Sequence, residues 1–178
     1  MDSAWVDQVL YFPDVGLNKA LDNDNLTFAT SPAAPWMGQA NKWAVNGSAA
    51  RSAIIGDNAS SWLETMVIGP GTLLFSWSVS SEHLFDRLEF GIDGTRLDQF
   101  SGVSFLGFSK KTFQIPSGVH LLRWTYAKDK WVSKGDDCGW LEKVSYIYHR
   151  TGASPDPAVL LLLDDQRPRG AESGEAME

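Results

Sequence analysis

The feature that most constrains the fold of this chain is a two-residue alternation of apolar and polar side chains, interrupted at short intervals by turn residues. The alternation is clear from Thr72 to Ser80 and recurs from Leu88 to Ile92 and from His120 to Tyr126. Successive side chains of a β-strand point to opposite faces, so each run predicts a strand with one packed face. Asp93-Gly94 predicts a two-residue hairpin turn, because both residues tolerate positive φ.

Two further sequences, Gly69-Pro70-Gly71 and Pro116-Ser117-Gly118, predict turns that separate strands, with one strand from Ser60 to Ile68. No stretch has a helical period, so we expect at most a single turn of helix in a connection. Short strands with regular turns are typical of an antiparallel, two-sheet β-sandwich, here of jelly-roll type. The side chains predicted to lie inside this all-β fold are Phe75, Trp77, Phe90, Trp124 and Trp140.

An internal echo indicates how the chain is divided into units. The segment Ser3–Tyr11 matches Cys138–Tyr146, with Trp5 corresponding to Trp140, and Asp precedes both copies. The spacing has the size of one β-sandwich. We therefore expect residues 1–13 to be the last strand of a preceding repeat and residues 14–150 to be a complete module. Residues 151–178 read as a linker and disordered tail, and the apolar run 158–163 within them is too short to span a bilayer.

Charge and composition exclude several classes of function. The 178 residues carry only 15 Lys and Arg and a net charge of −7, which argues against a nucleic-acid partner. No run of about 18 apolar residues is present, so we expect no membrane insertion. The single cysteine, Cys138, excludes an internal disulfide and is predicted to be a small buried side chain. If the parent protein is exported, its signal lies upstream of this segment.

Enzyme chemistry has little support in the sequence. His83, His120 and His149 are scattered, and the motifs of zinc proteases, serine hydrolases and phosphate-binding loops are absent. His120, on the apolar face of its strand, is predicted to be a hydrogen-bonded core histidine. Asp86 and Glu89 are the kind of carboxylate pair that glycosidases use, but they are interpreted as solvated charges at a strand end. A divergent hydrolase is therefore the least favoured class.

Two acidic clusters are candidates for a structural calcium site. Asp22 and Asp24 alternate with asparagines near the start of the module, and Asp136 and Asp137 precede the last predicted strand. Ca²⁺ takes six to eight hard oxygen ligands, and the first and last strands of a jelly roll commonly lie side by side. The alternative is that these Asp and Asn residues only form turns.

Exposed tryptophans are candidates for sugar binding, because an indole face stacks on a pyranose ring while nearby amides bond to hydroxyls. The candidate residues lie in loop-like segments: Trp36, Trp43, Trp131, Gln39 and Asn41. The alternative is that these rings pack over an edge of the sandwich. The other tryptophans lie in predicted strands and are interpreted as core: Trp62, Trp77, Trp124 and Trp140.

Seven blocks of sequence together resemble a recurring module of large secreted bacterial proteins, similar to the jelly-roll sandwiches of MAM and carbohydrate-binding domains. They are Ile55–Thr65, Gly69–Leu73, Trp77–Glu82, Ile92–Gly94, Phe113–Gly118, Leu122–Tyr126 and Asp137–Val144. Cys138 and Glu142 depart from the pattern, where the family more often has Ala and Asp.

The resemblance implies a concanavalin- or MAM-like fold in a secreted or cell-surface protein. It also implies a tandem array in which the module contacts neighbouring domains of the same parent chain. The function expected is non-catalytic binding or adhesion, with a polysaccharide or other glycan as ligand. The alternative is a purely structural spacer without a ligand.

Overall fold

The computed structural model describes residues 15–103 and 107–150, and these residues form eight β-strands and one short helix. The elements are α1 (Leu17–Ala20), β1 (Phe28–Thr30), β2 (Met37–Ala40), β3 (Ser48–Arg51), β4 (Ser60–Ser80), β5 (Arg87–Ile92), β6 (Thr95–Ser101), β7 (Ser109–Ala127) and β8 (Cys138–Tyr148). The predicted all-β, antiparallel architecture with a single helical turn is confirmed for this part of the chain. The segment assigned to a preceding repeat, 1–13, and the predicted linker and tail, 151–178, lie outside the described residues.

All strands belong to one curled antiparallel sheet, hydrogen-bonded in the order β2-β3-β8-β4-β7-β5-β6, with β1 also paired to β4. The sheet is organised by its two longest strands, β4 with 21 residues and β7 with 19. The first half of β4 pairs with β1 and with the end of β7. Its second half pairs with β8 and with the start of β7. Each long strand therefore contributes to both halves of the sheet.

The two halves meet at a bend where the sequence predicted turns. β4 runs without a break through Gly69-Pro70-Gly71, and β7 runs through Pro116-Ser117-Gly118, so the prediction of chain reversals is wrong at both places. Gly69 pairs with Gly118, and the register shifts before Gly71 pairs with Ile115. A Cβ atom on Gly69 would lie only 1.8 Å from the Pro116 carbonyl oxygen. Glycine and proline here mark an irregularity in two paired strands, which bend together.

The core lies between the two halves of the curled sheet. Phe75 of β4 contacts Phe90 of β5 with ring centroids 5.1 Å apart, although these strands share no hydrogen bonds. Phe75 also meets Trp124 of β7 edge to face at 5.4 Å. Strands separated along the sheet therefore come into contact because the sheet folds over on itself.

Four of the five side chains predicted to lie inside the fold are buried, and two tryptophans interpreted as core are not. Phe75, Trp77, Phe90 and Trp124 are buried, whereas Trp140 is only half-buried. Trp62 is also half-buried, because it lies on the outer face of β4, where the Arg123 guanidinium is 4.8 Å from its ring centroid. The interpretation of Trp62 and Trp140 as core residues is therefore wrong.

Two local predictions are confirmed, and a third is confirmed in part. Asp93 and Gly94 join β5 to β6 with φ of 51° and 79°, as a hairpin turn of this composition requires. Cys138 is buried, and burial raises the pKa of its thiol to about 11. His120 is hydrogen-bonded as predicted, its Nδ1 lying 2.7 Å from Asp93 Oδ2, but it is half-buried and is not a core residue. No helix in residues 15–103 and 107–150 is long and apolar enough to cross a membrane.

Candidate functional site

A cleft of about 630 Å³ opens beside the β2–β3 hairpin and is bounded by the end of β4 and the start of β8. Its wall is mixed, with indole rings, amides, hydroxyls and charged groups. The aromatic, amide and charged side chains discussed below are Gln39, Asn41, Trp43, Arg51, Asp136 and Trp140. Such a combination of aromatic surface and convergent polar groups is typical of small-molecule and sugar sites.

Trp43 lies at the rim of the cleft with 72% of its surface exposed. It belongs to the loop between β2 and β3, which Asn41 shapes from within. The side-chain oxygen Oδ1 of Asn41 accepts a hydrogen bond from the backbone amide of Trp43 at 2.9 Å. The backbone amide of Asn41 donates to the backbone carbonyl of Gly47, also at 2.9 Å. Lys42 Nζ lies 5.1 Å from the centroid of the Trp43 ring. The loop thus holds a large apolar ring in solvent beside a polar cleft.

Gln39 contributes an unsatisfied acceptor to the same cleft. It belongs to β2, where it pairs with Ala49 of β3, and its Oε1 atom is buried without a hydrogen-bond donor. A buried acceptor without a partner costs free energy, which a donor on a bound ligand would recover. Gln39 lines the cleft, so a hydroxyl group that enters the cleft can supply this donor when the Gln39 side chain turns toward it.

The opposite wall is built by residues that follow from the pairing of β3 with β8. Arg51 and Trp140 are directly opposite each other in this antiparallel pair, so their side chains share a face. Arg51 Nε donates to Cys138 Sγ at 3.2 Å and Nη2 to the Asp136 carbonyl at 3.3 Å. The Asp136 amide in turn donates to Ser80 Oγ at 2.8 Å. These bonds hold the guanidinium of Arg51 on the face of the sheet that it shares with Trp140.

The structure brings together some of the predicted sugar-binding residues and separates others. Gln39, Asn41 and Trp43 line one cleft. Trp131 is exposed at 64% but does not line it. Trp36 is 3% exposed, so the prediction that it offers a free ring is wrong. Its backbone amide donates to Thr30 Oγ1 at 2.7 Å just before β2, and the ring belongs to the core cluster.

Sequence reasoning missed Arg51 and Trp140 as members of the cleft. Trp140 occurs in a predicted strand, which favours a core position, and nothing in the sequence next to Arg51 indicates a site. The pairing of β3 with β8 brings the two residues together, and no local sequence pattern predicts this pairing.

The four acidic residues predicted to bind calcium are not gathered. Leu21 and Asn23 do lie beside β8, since the Val144 amide donates to the Leu21 carbonyl and Asn23 Nδ2 to the Val144 carbonyl. Asp137, however, lies seven residues before Val144, which corresponds to roughly 20 Å along a strand. Asp22 and Asp24 are therefore far from Asp136 and Asp137, and the predicted common site does not form.

Asp137 is engaged with other groups instead. Its Oδ1 accepts a hydrogen bond from the Tyr126 hydroxyl at 2.9 Å, and Oδ2 pairs with Lys128 Nζ. Burial alone would raise the pKa of Asp137, but the hydrogen bonds from Lys128 and Tyr126 hold it below its ordinary value. The interpretation of Asp86 as a solvated charge is also wrong, because this carboxylate is fully buried. Glu89 remains at the surface, paired with Arg96 at 2.7 Å.

Comparisons with known proteins give a fold but no family. No family model and no curated protein matches the sequence. Among solved structures, the secreted serine protease VesC from Vibrio cholerae is similar over 67% of this chain at 15% identity and a TM-score of 0.51. The match covers 28% of the protease, so this chain is similar to only a part of it. At this identity the likeness shows a shared fold alone.

Two structures of carbohydrate-binding modules give weaker matches. TmCBM61, solved with β-1,4-galactotriose, has 9% identity and a TM-score of 0.45, with 75% of this chain and 94% of that one covered. A structure of promiscuous carbohydrate-binding modules of the β-sandwich superfamily has 8% identity and a TM-score of 0.47, with coverages of 76% and 62%. Both TM-scores are below 0.5, so neither match carries an argument about fold or ligand.

Proposed function

We propose that this chain is a non-catalytic carbohydrate-binding module and that the cleft between Trp43 and Trp140 is its binding site. The observation that carries the proposal is the coexistence, in one cleft, of an exposed indole and a buried acceptor without a donor, Gln39 Oε1. A sugar supplies what both features need, because its C–H face packs on an aromatic ring and its hydroxyls donate hydrogen bonds.

Each wall of the cleft has a distinct part in this binding. Trp43, projecting from its loop, provides the platform for a pyranose ring, and Trp140 provides apolar surface on the opposite wall. Gln39 accepts from a hydroxyl, while the charged lining residues Lys42, Arg51 and Asp136 offer further donors and an acceptor. Two of these side chains are positive and one is negative, so neutral and acidic polysaccharides both suit the charge of the cleft.

The proposal includes the setting of the module. We assign the curled sheet to the jelly-roll class, in which two packed layers arise as β4 and β7 pass from one half of the sheet to the other. The resemblance of the sequence blocks supports a secreted or cell-surface protein in which this unit is repeated. The echo between Ser3–Tyr11 and Cys138–Tyr146 supports the repeat.

Binding is tested by affinity gel electrophoresis against a panel of plant, algal and bacterial polysaccharides, followed by calorimetry with the glycan that retards the protein. We expect Trp43→Ala and Trp140→Ala each to weaken binding by at least about tenfold, the loss typical of a central aromatic contact. Gln39→Leu, which removes the acceptor but keeps the volume, is expected to weaken it as well.

Trp131→Ala is the matched control, because Trp131 is as exposed as Trp43 but lies outside the cleft. We expect this variant to bind like the parent protein. Loss of binding in Trp131→Ala with retention in Trp43→Ala would overturn the assignment of the cleft. Absence of retardation with every glycan of the panel would overturn sugar binding and favour the structural spacer.

A further inference from the structure

A second group of side chains, away from the cleft, has the arrangement of a cation site. Glu82 and Asp86 lie in the connection between β4 and β5, and Asp129 follows the end of β7. One carboxylate oxygen from each of the three lies within 4.8 Å of the other two. Oxygens bound to one Ca²⁺ are separated by at most about 5 Å, twice the metal–oxygen distance. The three oxygens therefore fit around a single ion.

Two of the three residues have a buried carboxylate oxygen without a hydrogen-bond donor. Asp86 is fully buried, and its Oδ1 accepts from the Asp129 amide at 3.0 Å, but its Oδ2 accepts from nothing. Glu82 Oε2 is likewise buried without a partner. A buried ionised carboxylate oxygen with no donor is costly, and the carboxylates of Asp129 and Asp137 add repulsion at Asp86. Burial accordingly raises the pKa of Asp86.

The buried ammonium group of Lys128 relieves this charge only in part. Lys128 Nζ is 3.9 Å from Asp86 Oδ2, beyond hydrogen-bond distance. It is already bonded to Ser133 Oγ at 2.6 Å and to the carboxylate of Asp137. Lys128 is thus shared between the carboxylates of Asp86 and Asp137, while Glu82 and Asp129 add two more negative groups beside Asp86. The group needs further positive charge to become close to neutral.

We propose that Glu82, Asp86 and Asp129 bind a calcium ion, with Glu82 Oε2 and Asp86 Oδ2 as the buried ligands. Hard carboxylate oxygens suit Ca²⁺, and the partial exposure of Glu82 and Asp129 leaves room for water to complete six to eight ligands. The ion would join the β4–β5 connection to the segment after β7. This site shares no residue with the acidic clusters that the sequence indicated.

The ion has a consequence for the neighbouring surface. Asp129 Oδ1 accepts a hydrogen bond from the Trp131 amide at 2.8 Å, and the Asp129 carbonyl accepts from the Asn58 amide at 2.7 Å. Fixing Asp129 therefore fixes the start of the exposed segment that carries Trp131. Calcium is expected to order this segment while leaving the cleft around Trp43 unchanged, because the two share no residue.

The test is calorimetric titration of the EDTA-treated protein with CaCl₂, together with thermal melting in EDTA and in excess CaCl₂. We expect one binding site and, at 100 times the dissociation constant, a rise in melting temperature of about 5 to 10 °C. MgCl₂ is expected to give a smaller rise, because Mg²⁺ demands tighter octahedral geometry. No binding heat and equal melting temperatures in EDTA and CaCl₂ would overturn the site.

Asp86→Asn and Asp129→Asn are expected to lose the calcium-dependent rise. Asp86→Asn should still fold, and in EDTA its melting temperature should equal or exceed that of the parent, because an unpaired buried charge has been removed. The control Asp22→Asn/Asp24→Asn should keep the full calcium response. A response retained in Asp86→Asn would place the ion elsewhere and overturn the proposal.

Discussion

The buried carboxylate of Glu142 accepts a hydrogen bond from the backbone amide of Val45, with Oε2 and N 2.9 Å apart. The two residues are 97 positions apart in the chain. Val45 follows Trp43 in the β2–β3 loop, and Glu142 belongs to β8, so this bond ties the loop of the proposed site to the centre of the sheet. Burial raises the pKa of Glu142, and the Val45 hydrogen bond partly counteracts that rise.

The Glu142–Val45 bond leads to a first prediction about two substitutions. Glu142→Gln keeps an acceptor oxygen without a buried charge, so we expect glycan affinity to be unchanged and the melting temperature at pH 7 to be equal or higher. Glu142→Ala removes the acceptor and leaves a void, which is expected to destabilise the fold by about 1–3 kcal/mol and to weaken glycan binding. Chemical denaturation and calorimetry measure the two effects. An Ala variant with the stability and affinity of the parent would show that the bond does not hold the loop.

A second prediction concerns the pH dependence of the His120–Asp93 pair, whose atoms are 2.7 Å apart. Hydrogen bonding to Asp93 raises the pKa of His120, and hydrogen bonding to His120 lowers the pKa of Asp93. The raised pKa of His120 stabilises the folded state fully below the unfolded pKa of about 6.5. This stabilisation is lost as the pH rises through the pKa of His120 in the folded protein. The lowered pKa of Asp93 stabilises the folded state fully above the unfolded pKa of about 3.9. This stabilisation is lost as the pH falls through the pKa of Asp93 in the folded protein.

The pair is therefore fully effective between about pH 4 and 6.5. Asp93→Asn keeps a residue that tolerates positive φ, as position 93 requires, but removes the charge. We expect the difference in melting temperature between parent and Asp93→Asn to be larger at pH 5.5 than at pH 8.5. Asp98→Asn is the control, because Asp98 also forms an ion pair, at 2.8 Å, but with the amine of Lys111 and not with a histidine. Equal differences at both pH values for Asp93→Asn would contradict the expectation.

Much of the fold follows from the sequence, because the two-residue alternation defines both the strands and their inward faces. The alternation in β7 placed Leu122, Trp124 and Tyr126 on one face, and all three are buried. The bend in β4 and β7 could not be predicted, since Gly-Pro-Gly suits a chain reversal as well as an irregular strand. What decides between them is the pairing of Gly69 with Gly118, which lie far apart in the chain.

The residues of the candidate sites are harder to predict from the sequence than the strands are. Trp36 and Trp43 both occur in polar, turn-rich sequence, yet one ring packs into the core and the other projects into solvent. Trp36 precedes β2 and Trp43 follows it, so the exposure of each ring depends on where β2 lies. The position of β2 is set by its pairing with β3. Asp86 resembles an ordinary charge at a strand end, but the β4–β5 connection returns it into the interior beside Asp129. Burial of this kind depends on contacts between distant segments.

A third prediction tests the bend between the two halves of the sheet. Gly69→Ala would place its Cβ 1.8 Å from the Pro116 carbonyl oxygen, and neither strand can move without breaking the ladder. We expect a loss of more than about 3 kcal/mol of unfolding free energy, or failure to fold. Gly56→Ala is the control, because a Cβ at that position meets nothing within 4 Å. If denaturant titration gave the two variants equal stability, the close approach at the bend would not be a constraint.

The last prediction separates the two tryptophans that flank β2. Trp36 is buried in the core, so Trp36→Ala is expected to destabilise the protein by about 3–5 kcal/mol through lost apolar contact and the cavity that remains. Trp43 is exposed, and Trp43→Ala is expected to change unfolding free energy by no more than about 0.5 kcal/mol. Urea titrations measure both values, and glycan calorimetry on the same samples reports binding. Trp43→Ala should therefore lose affinity while keeping stability, because its ring contributes to the cleft and not to the core. A Trp43→Ala variant that unfolded as readily as Trp36→Ala would mean that the ring packs against the fold, and the structural spacer would then be the better account of this loop.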